Sequence, residues 1–461
     1  MNFQVKLLAL ITLILTILIP FLLPYGAVTG DFPAYLKIAS EIPSPSNNIF
    51  PFGFPLLIKI FSCITSEYFY SSLLLKILCF LSIIGFSVWK RFYITETIIL
   101  LTLKATFWVF IHQGSEYASF PLLFIYIYFI YRLFNQTISH QKFILFSSII
   151  AFLLLTIRYA NSFVIAATFL FYILKFKHTK KYTLPIIAHL FLSGIFIGIY
   201  LLINQYIFGS FTGENNRIND EYDTFIIDTI YDFIGFINLF NPLYYLKPLG
   251  FITKTQIIGS GLLIAIDIVL AFFILRWVAK KHQQHQINLF EYFLFYTAII
   301  IGCLTFIAAM FQGIEPLAQR LLANSFILLW FGLLILIRKT NAISIQKLIC
   351  FAYLSLILQF IYNVRIPTNF MGYKTEIESV LNQRKSIPKF YYDDLKETKI
   401  SVYHLPILNK EIKKEHEQLQ PKNIQKAILR LNYPSIIILE EEPKSYKDVI
   451  LSSDLKLKKS L

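Results

Sequence analysis

Two carboxylates and two guanidinium groups lie in short polar stretches between long apolar runs. These are Asp31, Glu116, Arg158 and Arg320. A partly desolvated carboxylate can act as a general base, because loss of water raises its pKa. A guanidinium fork matches the oxygens of a phosphate group. The four residue types therefore indicate proton abstraction beside a bound phosphate, provided that the fold brings them together.

Each of these residues also has a plain structural interpretation. Asp31 precedes a stretch of helical spacing, where an aspartate commonly caps the helix. Glu116 lies where another helix should begin, and the helix dipole favours an acid there. Arg158 and Arg320 lie at the ends of apolar runs, from which an arginine can snorkel towards the headgroups. The structural and chemical roles are compatible.

The composition shows what elements must position these side chains. The chain has 461 residues, of which 56% are hydrophobic and only 15% charged, and its mean hydropathy is +0.61. A soluble domain has about 25% charged residues, so the chain is predicted to be an all-α polytopic membrane protein. The apolar runs predict eleven spans, near residues 7–24, 72–89, 93–111, 117–134, 142–157, 161–174, 183–207, 256–278, 289–311, 321–337 and 343–363.

Lysine and arginine predict the orientation of these spans, since basic loops stay in the cytoplasm. Alternate connections are strongly basic, whereas the opposite ones mix dispersed basic residues with acids. The basic connections hold Lys90, Arg91, Arg132, Lys142, Lys175, Lys177, Lys180, Lys181, Arg276, Lys280, Lys281, Arg338, Lys339 and Lys347. The N-terminus is therefore predicted inside, and the C-terminus outside.

The sequence predicts a transmembrane domain, residues 1–363, and an extracytoplasmic domain, residues 364–461. Two long outer loops interrupt the first part, at 25–71, which should hold interfacial helices, and at 208–255. Charged stretches that alternate with runs such as 399–403 and 435–439 predict that the second part is a small α/β domain. The net charge of +15 is explained by the basic connections and this tail, so it does not indicate nucleic acid.

Four cysteines are scattered singly along the chain, which suggests neither a zinc site nor a disulfide framework. They are predicted to be small buried hydrophobic side chains: Cys63, Cys79, Cys303 and Cys350. Lys104 and Asp267 lie inside predicted spans. Such charges often mark function, and these two could pair with each other.

Several short motifs resemble the GT-C class of membrane glycosyltransferases, which includes protein O-mannosyltransferases and the enzymes that add aminoarabinose to lipid A. Residues 29–39, TGDFPAYLKIA, are similar to the first-loop signature of that class. Residues 51–57, PFGFPLL, resemble the segment that follows it in many bacterial members. Glu116, Arg158-Tyr159 and Gln319-Arg320 match positions of a second loop carboxylate and of basic residues near the donor phosphate.

The resemblance implies a GT-C-like fold in a bacterial-type inner membrane and an inverting sugar transfer at the outer, periplasmic face. The donor would be a polyprenyl-phosphate sugar, and the acceptor a lipid, a glycan or a protein. Asp31 would be the general base, Glu116 a second catalytic carboxylate, and Arg158 and Arg320 the phosphate ligands. Further residues would line the substrate cavity: Tyr35, Gly53, Tyr159 and Glu315. No cofactor is expected; a divalent metal at Asp31 and Glu116 is left open, although the first loop has a lone aspartate where an acidic pair is usual.

Two alternatives stay open at this point. A glycan polymerase or ligase of the O-antigen type would depend on later-loop arginines such as Arg217 and Arg320, and would not need Asp31. A lipid-linked-glycan transporter or flippase would depend on Lys104 and Asp267. No internal repeat is visible in the sequence, which weighs against a transporter.

Overall fold

Apolar helices build the chain as far as Val364. The computed structural model describes residues 3–27, 31–45, 47–65, 68–213, 225–244, 254–312, 317, 319–364, 389–392, 436–438 and 449–451. The helices up to residue 134 are α1 (Phe3–Leu22), α2 (Phe32–Glu41), α3 (Gly53–Phe61), α4 (Tyr68–Lys90), α5 (Ile94–Thr102), α6 (Lys104–Ile111) and α7 (Glu116–Phe134). Those that follow are α8 (His140–Ile157), α9 (Ser162–Leu174), α10 (Phe176–Thr179), α11 (Thr183–Phe208), α12 (Phe225–Ile237), α13 (Lys254–Gln283), α14 (Leu289–Gln312), α15 (Ala323–Lys339) and α16 (Ile345–Val364).

Within the described residues, eight helices are long and apolar enough to cross a membrane, or nine if the bent pair α5 and α6 forms one span. The protein is thus a multi-pass helical membrane protein. The two other predicted spans, 161–174 and 321–337, correspond to α9 and α15, which have 13 and 17 residues. At about 1.5 Å per residue they are shorter than an untilted crossing needs. The predicted total of eleven therefore remains a prediction.

The membrane environment explains which apolar side chains are left uncovered. In the apolar stretch of α13, only 6% of the residues are buried inside the protein, and lipid tails can cover the remainder. The prediction that the four cysteines are buried is wrong. Cys63, Cys303 and Cys350 are exposed and Cys79 is partly so. A surface that faces lipid accepts a small apolar side chain as readily as a protein core does, so apolar character alone did not predict burial.

The predicted third span is broken in the middle. Helices α5 and α6 meet at an angle of 72°, where Leu103 is extended. Neighbouring segments satisfy the backbone groups that the break releases: Ser355 Oγ donates to the carbonyl of Thr102 at 2.8 Å, and the Lys104 N–H donates to the carbonyl of Pro242 at 3.0 Å. The break is therefore held by α16 and by the segment that follows α12.

The first long loop contains two short helices, α2 and α3, in the stretches where amphipathic spacing predicts them. They pack on each other, and the ring centroids of Phe32 and Phe54 lie 6.4 Å apart. The N-terminal end of α3 also packs on α8. This arrangement fixes the first loop to the end of α8, which leads directly into Arg158.

Two buried carboxylates tie the helices together at the predicted cytoplasmic face. Glu96 at the start of α5 pairs with Arg338 at 3.1 Å, and Glu291 in α14 pairs with Lys339 at 3.1 Å. Glu291 also accepts the backbone N–H of Asn288, and Asn288 Oδ1 accepts that of Glu291, which forms a capping box at the start of α14. The end of α15 is thereby fixed to two neighbouring helices.

Three short strands are described after Val364: β1 (Lys389–Tyr392), β2 (Ile436–Ile438) and β3 (Val449–Leu451). They form one parallel sheet in the order β2-β1-β3. β2 lies within the strand-like run 435–439, whereas the run 399–403 is outside the described residues. The α/β domain as a whole stays a prediction.

Candidate active site

The four residues with candidate chemistry meet at one end of the helical bundle. Asp31 precedes α2, Glu116 is the first residue of α7, Arg158 follows α8, and Arg320 lies three residues before α15. All four are at the predicted outer face, and ion pairs and hydrogen bonds join them in one chain of contacts.

Asp31 stands at the N-cap of α2, but its side chain makes no capping hydrogen bond. Its Oδ2 instead accepts a hydrogen bond from Arg320 Nη1 at 2.6 Å. The backbone carbonyl of Asp31 already receives the N–H of Tyr35. The carboxylate therefore pairs with Arg320 and does not cap the helix, so helix capping does not explain the position of this aspartate.

Arg158 turns into the protein instead of snorkelling outward. Its Nη2 lies 3.3 Å from Oε1 of Glu116, and its Nη1 donates to the backbone carbonyl of Arg320 at 3.1 Å. The side chains of Arg158 and Glu116 are 13% and 8% exposed, while those of Arg320 and Asp31 are 14% and 32% exposed. Asp31 is thus the most accessible charged group of the four.

The four formal charges cancel, with two carboxylates facing two guanidinium groups. An anion that enters this cluster competes with Asp31 and Glu116 for the arginines. Because the side chains are largely buried, the interactions are screened less than at an open surface. The arrangement can hold a phosphate and at the same time release a carboxylate from its arginine.

Tyr35 lies beneath the charge cluster on α2. Its hydroxyl shares a hydrogen bond with Ser115 Oγ at 2.9 Å, and its ring packs on Phe50 and Phe54 at centroid distances of 4.4 and 5.0 Å. Burial raises the pKa of Tyr35 above its usual range, and the negative charges of Asp31 and Glu116 raise it further. The hydroxyl is therefore a neutral hydrogen-bonding group at neutral pH.

Gly53 is a close-approach glycine at the start of α3. A Cβ at this position would lie 2.6 Å from the backbone oxygen of Thr156 and 2.8 Å from its Oγ1. Only glycine lets α3 approach the last turn of α8, two residues before Arg158. Gly53 thus contributes to the site by packing.

The hydroxyl of Tyr159 is taken up by contacts within the protein. It donates to the backbone carbonyl of Asn48 at 3.2 Å and accepts from Asn204 Nδ2 at 3.1 Å. These contacts join the first loop to the end of α11. The structure thus places Tyr159 beside the cluster, in a connecting position.

Asparagines that the sequence did not single out hold the arginine-bearing segments together. Asn324 Nδ2 donates to Asn161 Oδ1 at 2.8 Å, while Asn161 Nδ2 donates to Ser119 Oγ at 3.0 Å and to the carbonyl of Leu154 at 2.7 Å. Asn161 follows Arg158 by three residues, and Asn324 follows Arg320 by four. An asparagine thus follows each of the two arginines within four residues, and this was the signal in the sequence for the contact.

Two residues named from the sequence, Glu315 and Arg217, lie outside the described residues. Among the residues that the structure does describe, no group of three or more His, Cys, Asp or Glu side chains is arranged to hold a metal ion. Asp31 and Glu116 each contact an arginine.

Lys104 and Asp267 are linked through a third residue. Lys104 Nζ donates to the backbone and side-chain oxygens of Asn238 at 2.5 Å, and Asn238 Nδ2 donates to Asp267 Oδ2 at 2.6 Å. Asn241 and Tyr244 donate to Asp267 Oδ1 at 2.7 and 2.8 Å. Both charges are buried and hydrogen-bonded. They form a structural network across α6, the segment that follows α12, and α13, with Asn238 between the two charges.

The fold and this site define a class, a multi-pass helical membrane protein with a compact cluster of two carboxylates and two arginines at one end of its bundle. Comparison with family models, with curated proteins and with solved structures finds no match to the chain.

Proposed function

We propose that the chain is an integral membrane glycosyltransferase of GT-C type, which moves a sugar from a polyprenyl-phosphate donor to an acceptor at the outer membrane face. One observation supports this proposal most strongly: Asp31 and Arg320, which are far apart in sequence, form an ion pair beside a second ion pair of the same type. Together they provide one accessible base and two phosphate ligands.

The chemistry is a single inverting displacement. Asp31 Oδ takes the proton from the acceptor hydroxyl or amine, whose lone pair forms a bond to the anomeric carbon of the sugar. The bond between that carbon and the phosphate oxygen breaks, and its electron pair stays on the phosphate. The guanidinium groups of Arg158 and Arg320 stabilise the growing negative charge, and this step needs no metal.

The ion pair between Asp31 and Arg320 links donor binding to base activity. While Asp31 Oδ2 accepts a charge-assisted hydrogen bond from Arg320 Nη1 at 2.6 Å, that oxygen is occupied and cannot receive the proton of an acceptor. A donor phosphate competes for Arg320 and releases Asp31 towards the acceptor. Glu116 keeps Arg158 oriented during this exchange, since their ion pair is the more buried of the two.

The lipid chain of the donor has a suitable route to the cluster. Helices α2 and α3 form the interfacial part of the first loop, and α3 leaves large apolar side chains, Leu56 and Ile60, exposed. A polyprenyl chain stays in the bilayer while its phosphate reaches the arginines.

The proposal is tested with purified protein in lipid nanodiscs and radiolabelled polyprenyl-phosphate donors that carry mannose, glucose or aminoarabinose. Wild-type protein is expected to release the sugar or transfer it to an added lipid or peptide acceptor. Asp31→Asn, which keeps an oxygen for Arg320, should lower the rate by about 10²- to 10⁴-fold. Glu41→Gln, at the other end of the same helix, is the matched control and should retain activity. Near-normal rates in Asp31→Asn would contradict the assignment of the base and favour a polymerase or ligase.

A transporter or flippase is the second candidate, and the broken helix favours it. A discontinuous span with buried charges close to the break is typical of transporter binding sites, and α5 and α6 meet beside Lys104. Against this candidate, the charges of Lys104 and Asp267 already have hydrogen-bond partners within the protein, namely Asn238, Asn241 and Tyr244. Movement of a fluorescent polyprenyl phosphate between leaflets of proteoliposomes, lost in Lys104→Met and kept in Asp31→Asn, would support the transporter instead.

A further inference from the structure

Helix α12, in the second long loop, presents three polar or small residues at intervals of three. Asp232 and Gly235 lie in the helix, and Asn238 begins the short 3-10 helix Asn238–Phe240 that continues it. All three are buried. A buried acid and a glycine within a helix each weaken it unless they serve a contact.

The contact that they serve is Leu317, three residues before Arg320. The backbone N–H of Leu317 donates to Asp232 Oδ1 at 2.8 Å. Its carbonyl oxygen lies close to Gly235, since a Cβ on that glycine would be only 2.3 Å from the oxygen. The side chain of Leu317 is fully buried. The N–H of Leu317 is thus hydrogen-bonded to α12, and its carbonyl oxygen and Cβ lie close to Gly235 on the same helix.

The end of α12 is anchored in turn by the buried charge network. Asn238 accepts from Lys104 and donates to Asp267, so it joins α12 to α6 and α13. Trp330 Nε1 also donates to the carbonyl of Leu239 at 3.0 Å, which connects the same segment to α15. The surface on which Leu317 lies is therefore held from three other helices.

Arg320 has a second constraint on its other side. Its backbone carbonyl accepts from Arg158 Nη1 at 3.1 Å. Leu317 is thus held by α12 and Arg320 by Arg158, and the guanidinium of Arg320 lies against Asp31.

We propose that Asp232 and Gly235 are positioning residues, which hold Leu317 and thereby set the guanidinium of Arg320 against Asp31. The catalytic consequence rests on the proposed function, whereas the positioning itself does not. A shift of Leu317 should weaken the ion pair with Asp31 and the fit of Arg320 to a donor phosphate. Both residues act through Arg320 and do not touch the reacting atoms.

The direct test measures how fast phenylglyoxal modifies Arg320 in the purified protein, with mass spectrometry of the labelled peptides and Arg132 as the internal reference. Gly235→Ala should raise the rate at Arg320 about two- to fivefold, as expected when a partly exposed ion pair is lost. Gly194→Ala is the matched control, because a Cβ at Gly194 meets nothing within 4 Å. This control should leave the rate unchanged.

A second pair of variants covers the case in which Gly235→Ala does not fold. Asp232→Ala removes the acceptor of the Leu317 N–H, whereas Asp232→Asn keeps an oxygen in that position. The alanine variant should raise the labelling rate of Arg320. The asparagine variant should show the wild-type rate. Unchanged labelling of Arg320 in every variant that folds would overturn the positioning role.

Kinetics then separate this inference from the proposed function. If the protein is a transferase, Gly235→Ala and Asp232→Ala should raise the KM for the donor about tenfold, with the KM for the acceptor unchanged. A rise in Arg320 labelling together with no transfer by wild-type protein from any donor would contradict the transferase and support the positioning role. A change in acceptor KM alone would contradict the positioning of Arg320 towards the donor.

Discussion

Arg320 donates from Nη1 to Oδ2 of Asp31 at 2.6 Å, although 289 positions separate the two residues in the chain. This contact joins the start of α2 to the entrance of α15. It also makes Asp31 a competitor of the proposed donor phosphate for the guanidinium of Arg320. The balance between these two uses of Arg320 is open to experiment.

Replacing Arg320 by Gln should weaken phosphate binding much more than it weakens the fold. A charge-assisted hydrogen bond contributes about 1.5–3 kcal/mol, so affinity for a short-chain polyprenyl phosphate should fall about tenfold or more. Asp31 is 32% exposed, so water can solvate its carboxylate once Arg320 is replaced, and stability should fall by only about 1 kcal/mol or less. Titration in nanodiscs and thermal unfolding in detergent measure the two effects. Arg132→Gln, at the predicted cytoplasmic face, is the control. Equal affinities of the two variants for the polyprenyl phosphate would argue against a phosphate role for Arg320.

Replacing Arg158 by Gln should reduce stability more than the same change at Arg320. Glu116 is 8% exposed, so the variant leaves a largely buried carboxylate without its cation, at a cost of about 1–3 kcal/mol. The double variant Arg158→Gln/Glu116→Gln should recover part of this loss, because no buried charge is left unpaired. Thermal unfolding of the two single variants and the double variant gives the coupling. Strictly additive effects would mean that the pair contributes nothing.

The residues of the candidate site that could be predicted from the sequence are those that lie within short local patterns. Asp31 and Gly53 occur in two neighbouring segments of one loop, and Arg158 and Arg320 are charged exceptions at the ends of apolar runs. Their partners could not be predicted in this way. Which carboxylate meets which arginine depends on how α7, α8 and α15 pack, and that is a property of the fold.

The fold likewise has features that local patterns predicted and features that depend on packing between distant segments. Apolar runs predicted the helices well, because about 20 such residues are what a membrane crossing needs. They did not predict the break at Leu103, where Ser355 and Pro242 supply hydrogen-bond partners from distant segments. Nor did they show that Asn238 lies between Lys104 and Asp267. The lone glycine in helix α12, Gly235, indicates a close contact with some other segment. The sequence does not show that Leu317 is the residue in contact.

Replacing Gly53 by Ala should destabilise the first loop. The new Cβ would lie 2.6 Å from a backbone oxygen of α8, so one of the two helices must shift, at a cost of about 1–3 kcal/mol. Gly85→Ala, in α4, has nothing within 4 Å and should be neutral or slightly stabilising. Thermal unfolding compares the two variants. Equal melting temperatures would show that α3 is not held against α8.

Replacing Tyr35 by Phe should change how stability depends on pH at the alkaline end. Burial and the nearby carboxylates raise the pKa of Tyr35 in the folded protein, whereas in the unfolded chain the phenol ionises near pH 10. Above about pH 10 the unfolded state therefore binds fewer protons than the folded state, and stability falls as the pH rises. The Phe variant lacks this contribution.

The Tyr35→Phe variant should lose about 1 kcal/mol near neutral pH, since Ser115 loses its partner, yet its stability should fall less steeply between about pH 9 and pH 11. Thermal unfolding across this range measures the slope, and Tyr206→Phe, at a side chain that is 92% exposed, serves as the control. Parallel curves for wild-type protein and Tyr35→Phe would mean that the Tyr35 hydroxyl is not buried beside the carboxylates. Because Tyr35 packs directly beneath the cluster, that outcome would also argue against the close approach of α2 to Glu116 on which the proposed site depends.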